Sequence, residues 1–115
     1  MKLLLHIFIF SLIAGCSAPG AFSGSDRSNI AAVKIDLPTV QCVMCQEFIT
    51  DGLMAMDGVQ TAYVNLNEEK VLVKYDKSKI ALTDLDQTIT KLGYQAGDVP
   101  ANAEAYNNLP GCCKL

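Results

Sequence analysis

Residues Val33 to Ile49 read "VKIDLPTVQCVMCQEFI" and contain one change of hydrophobic period. Val33, Ile35 and Leu37 alternate with Lys34 and Asp36, the two-residue period of a half-buried strand, and Pro38 ends it. Beyond a short loop, Cys45, Ile49, Leu53 and Met56 recur at helical spacing, so a helix is expected over Val43–Met56. Cys42 and Cys45, two residues apart from touching in sequence, fall between strand and helix. Thiols at that spacing can close a redox disulfide, hold a metal ion, or fill a core.

Working towards the C-terminus, "DGV" at Asp57–Val59 closes the helix, with Gly58 as its stop. Ala62, Val64 and Leu66 alternate as a second strand, Asn67–Glu69 turns the chain, and Val71, Val73 and Tyr75 alternate as a third. Thr83 or a neighbour opens a second helix whose apolar stripe is Leu82, Leu85, Ile89 and Leu92, ended by Gly93. "YQAGDV", Tyr94–Val99, reads as a fourth strand. Glu68, Glu69, Lys77 and Lys79 read as solvated charge, and Gly52 as a point of close packing. The order β-α-β-β-α-β contains two strand–helix–strand crossovers, each right-handed by rule. The expected class is α+β: a ferredoxin-like fold with a four-stranded antiparallel sheet and both helices on one face. That fold brings the cysteine loop and the Gly93–Tyr94 turn to the same end of the sheet.

The tail adds "PANAEAYNNL", Pro100–Leu109, which suits a short C-terminal helix capped by Asp98 and stopped by Pro110–Gly111. If that helix folds back along the domain, it returns Cys112 and Cys113 towards Cys42 and Cys45. Adjacent cysteines, with Cα atoms ~3.8 Å apart, are poorly placed to bond each other. They are better used as metal ligands or in exchange with another thiol.

The chain opens with Met1 and Lys2, then runs apolar from Leu3 to Ile13 with breaks at His6 and Ser11, the pattern of a secretory signal peptide. The run is shorter than the ~20 apolar residues that span a bilayer. It ends in "IAGC", Ile13–Cys16, which resembles the lipobox of bacterial lipoproteins. That resemblance implies cleavage before Cys16, lipidation of Cys16, and a location on the periplasmic or cell-surface side, anchored to the membrane through the lipid. Ser17–Ile30 is small, polar and glycine-rich, a flexible tether with a reach of ~20 Å. The expected organisation is a signal peptide over 1–15, lipidated cysteine and tether over 16–30, one folded domain over 31–99, and a cysteine-bearing tail over 100–115. The 115-residue chain carries nine basic and twelve acidic residues, and loss of the signal would remove Lys2 from the basic side. An acidic domain of this kind argues against nucleic acid as a partner. His6, the one histidine, lies in the signal, so the mature domain would have no imidazole for catalysis or metal binding. With Cys16 consumed by lipid, Cys42, Cys45, Cys112 and Cys113 would be the free thiols.

From Cys42 to Gly97 the chain resembles the heavy-metal-associated domain family, which includes copper chaperones, domains of copper-pumping ATPases and the periplasmic mercury-binding protein. The matching residues are "CVMC" at Cys42–Cys45, "DGV", "VNL" at Val64–Leu66, "VKYD" at Val73–Asp76 and "LGYQA" at Leu92–Ala96. The resemblance implies that Cys42 and Cys45 bind one soft ion and pass it on by thiolate exchange, without catalysis. The cargo would be Cu(I) or Hg(II), with zinc third, since soft thiolates select such ions. The implied partner is a membrane transporter, an ATPase or another thiol protein, and the protein itself would be a monomer. Cys45, on the first helical turn, is placed for thiolate stabilisation by unpaired N–H groups and the dipole. By the same resemblance Tyr94 faces and packs against the metal loop. Met44 could add a soft contact but better fits an apolar surface for a partner. Cys112 and Cys113 are expected either as accessory metal thiols that share or relay the ion or as part of an inert tail, and the pair is similar to the C-terminal vicinal cysteines of mercuric reductases. Thr39, Val40 and Gln41 stand where the family commonly has Gly-Met-Thr, so Val40 replaces a larger side chain beneath the loop. The pair admits two other readings: a disulfide pair without function, and a thioredoxin-like thiol-disulfide oxidoreductase. Gln41, Val43 and Met44 fit the second poorly, and Pro100 lies too late for its cis-proline loop.

Overall fold

The computed structural model describes residues 27–114. The signal, Cys16 and most of the tether therefore lie outside the described residues. After a single 3-10 turn at Arg27–Asn29, the elements are β1 (Ile30–Asp36), α1 (Val43–Met54), β2 (Val59–Asn65), β3 (Lys70–Asp76), α2 (Leu82–Lys91) and α3 (Ala103–Asn107). A second 3-10 turn, Gly111–Cys113, follows α3. Among the described residues, no helix is long and apolar enough to cross a membrane.

The sheet is antiparallel in the order β1-β3-β2. Val33 pairs with Val73 and Ile35 with Val71, so the alternating apolar residues of the two strands share one face. Ile35, Val64, Val71, Val73 and Tyr75 are buried beneath the helices, with Ile49 and Leu53 from α1 and Leu85 and Ile89 from α2. Gly52 lets α1 and α2 approach: a Cβ there would stand 2.5 Å from Leu92 Cδ1. Leu82 is 44% exposed and lies outside the apolar stripe expected for α2, because it is the first helical residue and projects past the end of the sheet. The helix instead begins with Ala81 as N-cap, and the Asp84 carboxylate accepts the Ala81 N–H at 2.9 Å. At the β2–β3 turn, Asn65 Oδ1 accepts the N–H groups of Asn67 and Glu68.

The expected fourth strand does not form. Tyr94–Val99 turns back on itself after Ala96, which forms an isolated bridge with Val99. Gly97 has φ +55°, in the left-handed region that an extended strand cannot contain. The segment is joined to β1 at one point, where Gly97 N–H donates to Asp36 C=O at 2.8 Å. It thus occupies the sheet edge beside β1 as a turn.

The short C-terminal helix is present, but Asn102 caps it in place of Asp98. Asn102 Oδ1 accepts the Ala105 N–H at 2.9 Å. Pro100 after Val99 delays the helix, since the residue before a proline is kept from helical geometry.

Candidate metal centre

The site is built from the loop before α1 and from the returning tail. Leu37 and Val40 are buried under the loop, and Val40 N–H donates to Leu37 C=O at 3.1 Å. Gln95 N–H donates to Thr39 Oγ1 at 3.1 Å, tying the loop to the turn after α2. Loop and turn therefore share one end of the sheet, as expected. Cys42 is the N-cap of α1, with extended backbone, and Cys45 lies three residues on, its side chain fully buried.

The tail crosses this end of the molecule. Asn102 N–H donates to Thr90 C=O at 3.0 Å, and α3 lies over Gly93. Leu109 is partly buried against the core, and Lys114 Nζ donates to Asn107 C=O at 2.6 Å. Cys113 N–H donates to Pro110 C=O at 2.9 Å, forming the 3-10 turn that presents Cys112 and Cys113 to α1.

Four sulfurs meet there. Cys42 Sγ lies 3.2 Å from Cys45 Sγ, 3.3 Å from Cys112 Sγ and 3.7 Å from Cys113 Sγ. Cys112 and Cys113 sulfurs are 3.9 Å apart and unbonded. Cys45 and Cys113 are joined by a disulfide, with Cα atoms 5.9 Å apart, inside the usual range. Cys42, Cys112 and Cys113 form a group whose ligand atoms all lie within 4.8 Å of one another. Met44 Sδ is 4.0 Å from Cys112 Sγ, and the rest of the Met44 side chain is half exposed beside the site.

One expectation is corrected. Of the four thiols expected free, Cys42 and Cys112 are free and Cys45 and Cys113 are bonded. The helix N-terminus also serves Cys42, its N-cap residue. The Cys45 N–H, then the Cys112 thiol and the Met44 N–H, hold the Cys42 thiol below its ordinary value against the opposing effect of burial. The N–H groups act here as oriented dipoles, since none forms a capping hydrogen bond to the side chain. Contact with Cys42 pushes the Cys112 thiol up. Tyr94 is fully buried, and its hydroxyl has no hydrogen-bond partner among the described residues. Burial, then the charges of Cys42 and Cys112, push its phenol up to about 12. It stays neutral beside the thiolates at ordinary pH.

The heavy-metal-associated domain matches residues 33–95, more than half of the chain. The chain belongs to this family. A copper chaperone, CopZ, from Enterococcus hirae is 35% identical over 57 residues, covering 50% of this chain and 83% of that protein. A copper-exporting P-type ATPase of Staphylococcus haemolyticus is 36% identical over 67 residues, which are 58% of this chain but 8% of the ATPase. The crystal structure of oxidized MerP from Ralstonia metallidurans CH34 superposes with a TM-score of 0.57 over 59% of this chain and 94% of MerP. At 19% identity that likeness concerns the fold alone. The heavy-metal-associated fold sets aside the thioredoxin-like architecture, and its family match stops at residue 95, short of the tail that brings in Cys112 and Cys113.

Proposed function

We propose that this heavy-metal-associated domain captures a soft metal ion through Cys42 and Cys45 and passes it on by thiolate exchange. One observation carries the reading: inside the matched heavy-metal-associated domain, Cys42 at the N-terminus of α1 lies 3.2 Å from Cys45 Sγ. A low-lying thiolate at an accessible helix end is both a soft ligand and a group that a second protein's thiol can displace. Reduction of the Cys45–Cys113 bond precedes use of the pair. Cu(I) is the favoured cargo because the chaperone relative is a copper protein by name and matches at 35% identity. Hg(II) is the second cargo, suited to the same two thiolates, and zinc is third. The partner is a membrane transporter, an ATPase or another thiol protein, and the role is carriage without turnover. The lipobox-like "IAGC" supports anchorage through Cys16 on the extracytoplasmic side; Cys16→Ala that leaves membrane fractionation and precursor size unchanged sinks that part.

The test is titration of the reduced protein with Cu(I) in the presence of a competing chelator. About one equivalent should bind through thiolates, and Cys42→Ser with Cys45→Ser should remove tight binding. Undiminished affinity in the double variant would overturn the assignment.

A further inference from the structure

We propose that Cys112 and Cys113 are metal ligands in their own right, turning the open Cys42–Cys45 pair into a closed three- or four-thiolate site; this rests on the soft-metal reading above. The sulfur spacing supports it. A tetrahedral thiolate site with metal–sulfur bonds of ~2.3 Å has sulfur–sulfur edges of ~3.8 Å. Cys42–Cys113 at 3.7 Å and Cys112–Cys113 at 3.9 Å match that edge. Cys42–Cys45 at 3.2 Å and Cys42–Cys112 at 3.3 Å reach it by opening about half an ångström, and the Cys45–Cys113 edge opens to it once the bond between them is reduced.

The tail is held there by the fold as well as by the cross-link. The Asn102–Thr90 hydrogen bond, the seat of Ala105 on Gly93 and the burial of Leu109 place the 3-10 turn of Cys112 and Cys113 over α1. Reduction therefore leaves four thiols converging rather than releasing a loose tail. Among the described residues, the side chains that could hold a metal ion here are cysteines, with the Met44 thioether 4.0 Å from Cys112 Sγ.

The disulfide is the oxidised, closed state of the same site. A dithiol reductant supplies two electrons and two protons; it becomes a disulfide as Cys45–S–S–Cys113 becomes two thiols. Each thiol that then binds metal releases its proton to water. The ligand class is thiophilic cations that accept three or four sulfurs, and an ion so enclosed leaves more slowly than from two ligands.

Cd(II), which accepts four thiolates, is the probe. In the reduced wild-type chain, X-ray absorption should count three or four sulfurs around Cd(II). Cys112→Ser should lower the count by one, and Cys112→Ser with Cys113→Ser should leave two. Transfer of Cu(I) to a chelator should run about tenfold or more faster from the double variant, because two tethered thiols no longer recapture the ion. Cys112 is exposed, so the single variant keeps its fold even if the change at buried Cys113 disturbs packing. Equal sulfur counts and equal transfer rates in wild type and the Cys112→Ser variant overturn the proposal. Failure of the wild type to bind Cu(I) at all would instead overturn the Cys42–Cys45 assignment beneath it.

Discussion

Tyr94 combines two properties that rarely share a site: complete burial and a hydroxyl with no partner among the described residues. A buried unpaired polar group costs about 1–3 kcal/mol. Tyr94→Phe keeps the ring and removes that cost, so its stability at pH 7 should match or exceed the wild type by up to about 1 kcal/mol in urea unfolding. The pH dependence has a definite sign. The phenol is raised from 10.0 to about 12, so the folded protein holds its proton more tightly than the unfolded chain. Its contribution is whole below pH 10 and fades as pH climbs towards 12. Tyr94→Phe should lose less stability than wild type across that window, and identical profiles would show that burial does not raise the Tyr94 phenol. The burial of Tyr94 follows from its place in "LGYQA" at the end of α2. Its orphaned hydroxyl was not legible there, because satisfaction of a polar atom depends on neighbours from separate segments.

The connection from α2 to α3 turns on Gly93. It has φ +102°, and a Cβ there would stand 3.0 Å from the backbone carbon and oxygen of Ala105. Gly93→Ala therefore imposes a left-handed cost of about 1–2 kcal/mol and presses the tail away from the turn. Hydrogen exchange at Ala105 and Tyr106 should accelerate in this variant while the β1–β3 amides stay protected; unchanged exchange in α3 would show that the tail does not rest on this turn. The period of two in β1 and β3 and the helical faces of α1 and α2 could be read directly, since each is set by residues close in sequence. The fourth strand could not. "YQAGDV" has strand-like side chains, but Gly97 takes φ +55° and turns the chain back at the edge of β1. Asn102 was the better cap in the sequence as well: it lies beyond Pro100 and three residues before Ala105, whose N–H it accepts.

At the scale of the whole molecule, the four cysteines come from two places far apart in the chain and meet at one end of the sheet. The return of the tail was legible from the lengths of its segments, although the route is a turn and a five-residue helix rather than a strand and a longer one. The pairing of Cys45 with Cys113 was not legible, because four thiols within reach of one another leave the choice of partners to packing. Burial makes that choice here: Cys45 and Cys113 are the two cysteines shielded from solvent, while Cys42 stays at the helix end and Cys112 in water.

The same cross-link divides the chain mechanically. Its two sulfurs are 68 residues apart in sequence, so the hairpin, α2 and α3 all lie inside one covalent loop. A force applied to the ends of the oxidised molecule cannot stretch that loop. Pulled in an optical trap, it should yield extension from residues 1–44 and 114–115 alone. Adding a dithiol should then lengthen the trace by roughly 230 Å, at ~3.4 Å for each freed residue. The redox state of two buried sulfurs would thus set how far the chain can be drawn out under load.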